Sequence, residues 1–404
     1  MKIVRRLRNP RLAFLVAAMI VPAALVACGG DDDDGTTDAA ATTDAAAETD
    51  AAAQDYQVAL LATGARNNQS WANSWVNGAE RAAEELGVSV EIADNVDAPD
   101  QYLTQCSAFA SQGVDLIIFA FGAAAEQAAQ CGEQFPDTTV IDVFQPPDEE
   151  YAAGETVNVG HVDPEQQQGT FLAGVLAGLV TETNTIGSVY AFPFPALNRQ
   201  FEAYELGARC VNPDIEALVR QSDSFTDAAA ARAAASALID NDADVLLAAV
   251  DQAVQGLIQA AAEAQEEGKQ VFVFPSYFDA NDLNPAVVLS SVLYNLDGVA
   301  FDVIEKGLND ELGDNYFQSY TFENLQVGDL APLGEQEELV GEENIATLDA
   351  FKAALADGTI TIPDETISDP AVAGGATIGE VGAAAGIDEA DIGCTEEFRA
   401  EVGV

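Results

Sequence analysis

From residue 56 onward the chain alternates between two hydrophobic rhythms. Short apolar runs rich in β-branched residues predict strands at 57–62, 88–93, 114–119, 139–143 and 156–160. Between them, apolar positions spaced three and four apart predict helices over 71–86, 100–112 and 123–135, the first closed by Gly87 and the last by Pro136. The stretch 165–213 continues the pattern: a helix rich in small residues, a strand at 185–190, a loop Phe192-Pro193-Phe194-Pro195, and a helix ending at Asn212-Pro213. Strands at 215–219, 245–249 and 270–274 then enclose helices over 227–240 and 253–267. Such alternation predicts parallel sheets with helices on both faces.

Nearly ten strands would be long for one sheet, and a break near 145–154 divides them into two similar halves. The expected fold class is therefore α/β: two doubly wound parallel-sheet lobes joined by a hinge. The segment 287–293 and a helix over 296–308 return to the first lobe, followed by a helix over 345–355 and a closing strand at 357–363. The predicted division is lobe 1 from 56–160 plus 281–325, lobe 2 from 161–280 plus 326–363, and an extension at 364–404. In the helix after residue 165, Gly169, Ala173, Gly174, Ala177 and Gly178 form a smooth stripe, expected to pack on a sheet rather than in a membrane because polar residues follow at once.

The first 27 residues stand apart from this pattern. Five basic residues precede an apolar run at 12–26, and Leu25-Val26-Ala27-Cys28 followed by two glycines has the shape of a bacterial lipoprotein signal. That predicts cleavage, acylation of Cys28, and a lipid anchor on the extracytoplasmic face of the cell membrane; a plain N-terminal anchor, or a Sec signal with a chance cysteine, is the alternative. Residues 28–55 are low-complexity Asp, Ala and Thr, which cannot bury enough apolar surface to order and which read as an acidic tether.

Charge removes one class of partner. The chain has 15 Lys+Arg against 68 Asp+Glu; without the leader's five, ten basic and 68 acidic residues leave a formal charge of −58. Phosphate backbones would be repelled, so no nucleic acid is expected. The four cysteines besides Cys28 suit an oxidising compartment, with Cys106–Cys131 and Cys210–Cys394 as the predicted disulfides. Cys106 and Cys131 fall in consecutive helices flanking one strand, and Cys394 would pin the extension to the second lobe.

Catalysis finds little support. His161 is the one histidine, expected at a strand end as a crossover or hinge contact rather than a general base. No nucleophile-elbow, zinc-protease or P-loop motif occurs, no His/Cys cluster suggests a metal, and no cofactor is expected. The strand ends carry another kind of signal. After the first strand come Asn67, Asn68, Gln69, Ser70, Trp71, Asn73 and Trp75, with both tryptophans on one helical face. Trp75 reads as a staple to the sheet, and Trp71 as a stacking face for a planar ligand. Phe121-Gly122 end the third strand's segment, Asp251 follows strand 245–249, and Ser276, Tyr277 and Asp279 follow strand 270–274. Aromatics and short polar groups converging from two lobes are what a closing small-molecule cleft requires.

Several stretches resemble a known family. The run 166–189, QQQGTFLAGVLAGLVTETNTIGSV, together with DLIIFAFGAAAEQAAQCGEQFPDTTVIDV at 115–143, LIDNDADVLLAAVDQAVQGLIQAA at 238–261 and FKAALADGTITIP at 351–363, is similar to the basic membrane lipoprotein (BMP) family, the PnrA-like substrate-binding lipoproteins of ABC transporters. Its better-known members bind purine nucleosides. The resemblance implies the type I periplasmic-binding-protein fold with three strands crossing at the hinge. It also implies a membrane permease with a cytoplasmic ATPase as partner. In the family's first-loop pattern Asp-x-Ser-Phe-Asn-Gln, Asn68 stands for the acid, Ser70 keeps the serine, Trp71 stands for the phenylalanine and Asn73 for the glutamine. The family's Gly-Phe is inverted as Phe121-Gly122, its Gly-x-Asp-x-Asp loop is replaced by 275–279 with Asp279 as the one acid, and its following lysine is replaced by Tyr294-Asn295. The expectation is a monomeric, non-enzymatic binding protein. Trp71 sandwiches a ring with Phe121 or Phe194, Asn68, Asp251 and Asp279 take hydroxyls or amines, and Ser70, Gly122 and Tyr277 complete the site. A ligand-sensing receptor, or a binding protein for a different polar solute, remains the alternative.

Overall fold

A computed structural model of the chain describes residues 55–122, 124–143, 158–193, 195–363, 379–380 and 389–404. The leader, Cys28, the tether up to residue 54, the break near 145–154, Phe194 and most of the stretch 364–388 lie outside the described residues. Among the described residues no helix is long and apolar enough to cross a membrane.

The first sheet has the order β11-β5-β4-β3-β1-β2, all parallel, with β1 (Gln57–Ala62), β2 (Ser89–Ala93), β3 (Leu116–Ala120), β4 (Thr139–Val143), β5 (Val159–Pro164) and β11 (Phe317–Tyr320). The central strands β1 and β3 are buried along nearly their whole length, because helices cover both faces of the sheet. On one face lie α1 (Trp71–Leu86) and α8 (Leu296–Leu308). On the other lie α2 (Pro99–Ala110) and α3 (Ala125–Gln134), joined by the Cys106–Cys131 disulfide. Helix α1 ends where expected: Gly87 takes φ 74°, the left-handed turn that glycine adopts without steric cost.

The second sheet has the order β13-β7-β6-β8-β9, with β6 (Thr185–Tyr190), β7 (Glu216–Gln221), β8 (Val245–Ala249) and β9 (Phe272–Phe274) parallel, and β13 (Gly379–Glu380) antiparallel to β7. Helices α6 (Ala228–Ile239) and α7 (Val254–Glu266) cover one face. Asp227 caps α6 by accepting from the N–H groups of Ala229 and Ala230. The other face is covered by α4 (Gln166–Val180) and α5 (Pro195–Val211).

The small-residue stripe of α4 packs differently from the expectation. It meets α5, not a sheet: a Cβ on Gly174 would lie 1.9 Å from the Tyr204 carbonyl oxygen, and one on Gly207 would lie 2.0 Å from that of Phe171. Missing Cβ atoms let two helix backbones touch, a gain that a sheet surface already covered with side chains cannot use. Gly169 does the same at the hinge, against the backbone of Gly328.

The chain crosses between the lobes three times. It leaves β5 into α4. It returns through β10 (Val292–Leu293) into α8, and leaves again from β11 through the short α9 (Phe322–Leu325) and β12 (Asp329–Leu330). β10 and β12 pair antiparallel, so two crossings brace each other. The first sheet keeps β5 through Pro164, past the expected division at residue 160. The strand expected at 357–363 does not form. Ile360 and Ile362 are buried as its alternation suggested, but among the described residues no neighbouring strand offers a ladder, and the Thr361 N–H donates to the Ile392 carbonyl. The helix expected at 345–355 is α10 (Glu337–Ala356), broken at Gly341, and β11 is an unforeseen edge strand. The terminal helix α11 (Glu396–Val402) is held to the second lobe by Cys210–Cys394 and by Phe398 against Phe351, ring centres 5.1 Å apart.

Candidate ligand-binding cleft

The carboxyl ends of both sheets face one cavity of about 740 Å³. Loops following β1, β2 and β3 supply one wall, and loops following β6, β7, β8 and β9 supply the other. Open α/β sheets place ligands at this end because loops there converge without interrupting the strands.

On the first wall, Asn68 organises the loop before α1. Its Oδ1 accepts from the N–H groups of Ser70 (2.9 Å) and Asn73 (3.2 Å), fixing the start of the helix. Its Nδ2 donates across the cleft to Asp251 Oδ2 at 3.1 Å. Trp71 is 8% exposed, and its indole N–H donates to the Ala120 carbonyl at 2.9 Å, which leaves the ring itself for the cleft. It meets Tyr277 of the opposite wall edge-on, with centroids 5.8 Å apart. Phe121 stacks on Tyr102 at 5.4 Å with planes 17° apart, so its orientation is fixed from behind. Trp75 is fully buried in the core, the staple that was expected.

On the second wall, burial pushes the Asp251 carboxyl up to about 6, against the lowering effect of the Ser70 hydroxyl and the Trp71 backbone N–H that face it. No charged group is among the causes of that shift. Tyr277 takes φ 82°, uncommon for a bulky residue, and its N–H is held by the Val292 carbonyl at 2.9 Å. Burial raises its phenol, and the Asp251 charge raises it further.

The structure brings Asn68, Trp71, Phe121, Gly122, Asp251 and Tyr277 together at the cavity, with Ser70 buried directly behind Asp251. Asp279 is not brought there. It is exposed and accepts from the Asn281 N–H at 3.0 Å, because the chain turns outward after Tyr277 into a short 3-10 helix. His161 lies inside β5, paired with Asp142 of β4 and Phe317 of β11, rather than at a strand end. Its Nδ1 is 3.9 Å from Asp142 Oδ2 on the adjacent strand, and burial pushes the imidazole below its ordinary value.

Among the cleft residues that escaped the sequence are Phe225, Asp97 and Asp223, while Phe192 comes from the aromatic loop read at 192–195. Phe192 and Phe225 meet edge-on at 5.3 Å on the second wall, and Asp97 and Asp223 lie at the rim. Phe225 and Asp223 follow β7, which runs to Gln221 rather than to 219. The strand-end rule would have pointed to both had the strand been given its full length. Asp97 is tied in place by Thr63 Oγ1 (3.1 Å) and the Gly64 N–H (2.8 Å).

At the hinge side, Arg199 of α5 makes two bonds to Asp163 of β5, at 2.7 and 2.9 Å, with both side chains almost wholly buried. Beside them the Gln200 amide donates to Gln166 Oε1, and the Tyr294 hydroxyl donates to Gln200 Oε1 at 3.1 Å. Tyr294, which replaces the family's lysine, is therefore a buried hinge group and not a cleft group.

A family model described as "Bmp: ABC transporter substrate-binding protein PnrA-like" matches residues 56–339. This chain belongs to that family. It is a substrate-binding protein of the ABC-transporter type, a non-enzymatic extracytoplasmic class that binds a small molecule and works with a membrane permease. Basic membrane protein A of Borreliella burgdorferi is 25% identical over 293 residues, 70% of this chain and 78% of that protein. A "putative ABC transporter glucose-binding protein TsgA13" of Haloferax volcanii is 40% identical over 134 residues, spanning 33% of this chain and only 32% of that protein's length. Among solved structures, an ABC-transporter solute-binding protein of Aeropyrum pernix superposes with a TM-score of 0.67 at 18% identity, covering 76% of this chain and 94% of that one.

Proposed function

We propose that the cleft binds a nucleoside or a related planar small molecule, enclosing it by closure of the two lobes. The observation that carries this is the arrangement of rings around an interior carboxylate. Trp71 and Phe121 line one wall, Phe192 and Phe225 the other, with Asn68 and Asp251 between them. A flat ring gains from aromatic faces on both sides, about 0.5–1.5 kcal/mol per pair beyond area burial. The amide and carboxylate supply directional partners for hydroxyls or exocyclic amines. The volume falls within the range of small-molecule sites, roughly 300–1,000 Å³.

The ligand is handed to a permease, with the protein acting as a monomer tethered to the membrane through acylated Cys28. Titration calorimetry of the purified protein against adenosine, guanosine, inosine, ribose and glucose tests the ligand class. Nucleosides are expected to bind in the micromolar range or tighter; binding of glucose with no heat from any nucleoside would replace this reading by a hexose site. A Cys28→Ser variant is expected to leave the membrane fraction, and its retention there would remove the lipid anchor.

A further inference from the structure

The charge of the cleft narrows the ligand beyond its shape; the inference rests on the proposed planar-solute site. Three carboxylates line the cavity, Asp251 inside and Asp97 and Asp223 at the rim of opposite walls. No Lys, Arg or His is among its described lining residues. Nor can the undescribed segments beyond residue 27 supply one. Residues 28–54, 123, 144–157, 194, 364–378 and 381–388 contain no Lys, Arg or His at all.

The ten Lys and Arg beyond the leader are spent elsewhere. Arg66 bonds to Asp94, Arg81 to Asp297, Arg199 to Asp163, Arg209 to Glu389, Arg232 to Glu263, Lys306 to Asp302 and Lys352 to Asp329. The other three, Arg220, Lys269 and Arg399, do not reach the cavity either. A phosphate or carboxylate on the ligand would therefore enter a partly dehydrated space holding only charges of its own sign. A cation meets the opposite case. Ring faces attract positive charge through their quadrupoles, and Asp251 is held by uncharged donors, so a countercharge is the partner it lacks.

We propose that this cleft selects a planar heterocycle bearing a positive charge and no phosphate or carboxylate, such as a nucleoside whose base is a pyridinium. Such a ligand would pull the Asp251 carboxyl back toward its ordinary range and release a proton on binding near pH 6. The groups facing Asp251 are Asn68, Ser70, Trp71 and Tyr277, and of these only Tyr277 titrates, far above that range. The affinity for the cation should then rise as pH rises through about 6.

The test is calorimetry at pH 7.5 on the full folded chain with nicotinamide riboside, inosine, their 5′-monophosphates, thiamine and glucose. Nicotinamide riboside is expected to bind about tenfold or more tightly than inosine, both monophosphates more weakly than their nucleosides, and Asp251→Asn to shrink the cation-to-neutral ratio to near one. Raising the salt concentration should weaken the cation more than inosine. Inosine binding as tightly as the cation, or a monophosphate binding tightest, overturns the charge inference and leaves the nucleoside reading standing. Thiamine binding while no nucleoside does supports the charge inference and sinks the nucleoside reading. Glucose alone binding removes both.

Discussion

Two of the polar contacts that join the lobes are built in opposite ways. At the hinge, Arg199 and Asp163 make a two-bond ion pair at 4% and 1% exposure, flanked by the Gln166–Gln200–Tyr294 chain. In the cleft, Asn68 and Asp251 share one amide-to-carboxylate bond at 3.1 Å between side chains that are only part-buried. The first contact cannot open without stranding two charges in a dry interior, so it holds the lobes together at one end. The second can exchange for water or ligand at small cost, because each partner regains hydrogen bonds on opening. One end of the interface is fixed and the other is free to part, which is what hinge closure requires.

The widest test of that contrast is to remove one hinge charge. Arg199→Met strands Asp163 and should destabilise the protein by about 3–5 kcal/mol in urea unfolding. A loss below about 1 kcal/mol would mean that the pair is not fully desolvated. In the cleft, Trp71→Ala should weaken ligand binding by roughly tenfold or more and, because the ring is packed in the core, also lower stability by about 3–5 kcal/mol; unchanged affinity of the folded variant by calorimetry would take Trp71 out of the site.

The third test uses pH. The Asp251 carboxyl is raised from 3.8 to about 6 by burial, so the closed cleft binds more protons than an open, hydrated one. A raised value favours the closed form at low pH, and that advantage is lost as pH rises through about 6. Ligand-free closure should thus decline by up to about tenfold between pH 5 and 7.5, followed through tryptophan fluorescence or scattering radius. A flat profile would show that Asp251 keeps its water in the closed form. The smallest effect is expected from Asn68→Ala, about 1 kcal/mol off closure and roughly fivefold in ligand affinity. An effect as large as that of Arg199→Met on stability would erase the distinction between the two contacts.

Much of the frame was legible because it rests on local rules. The strands 57–62, 139–143, 185–190 and 245–249 and the helices 71–86 and 296–308 were read with their observed bounds, each marked by its own periodicity and by a turn or cap. Edge elements were not. β11 is short and polar on one face, and it is a strand only because β5 lies beside it. The segment 357–363 had the alternation of a strand and no partner strand among the described residues. Site residues divide along the same line. Phe121 and Asp251 come just after β3 and β8, and Trp71 opens the helix after β1, and all three line the cavity, whereas Asp279 is carried outward past Tyr277 into a short 3-10 helix.

By itself the sequence determined the α/β lobes, the family, and a chain with almost no positive charge to spend. Those properties depend on composition and short-range pattern. Tertiary structure decided that the glycine stripe of α4 serves a helix–helix seam, that the Tyr294 hydroxyl belongs to the hinge, and that Phe192, Phe225, Asp97 and Asp223 share a cavity with Trp71. These depend on which loops converge at the carboxyl ends of two separate sheets, and a pairing between residues so far apart in the chain leaves no local trace for the sequence to show.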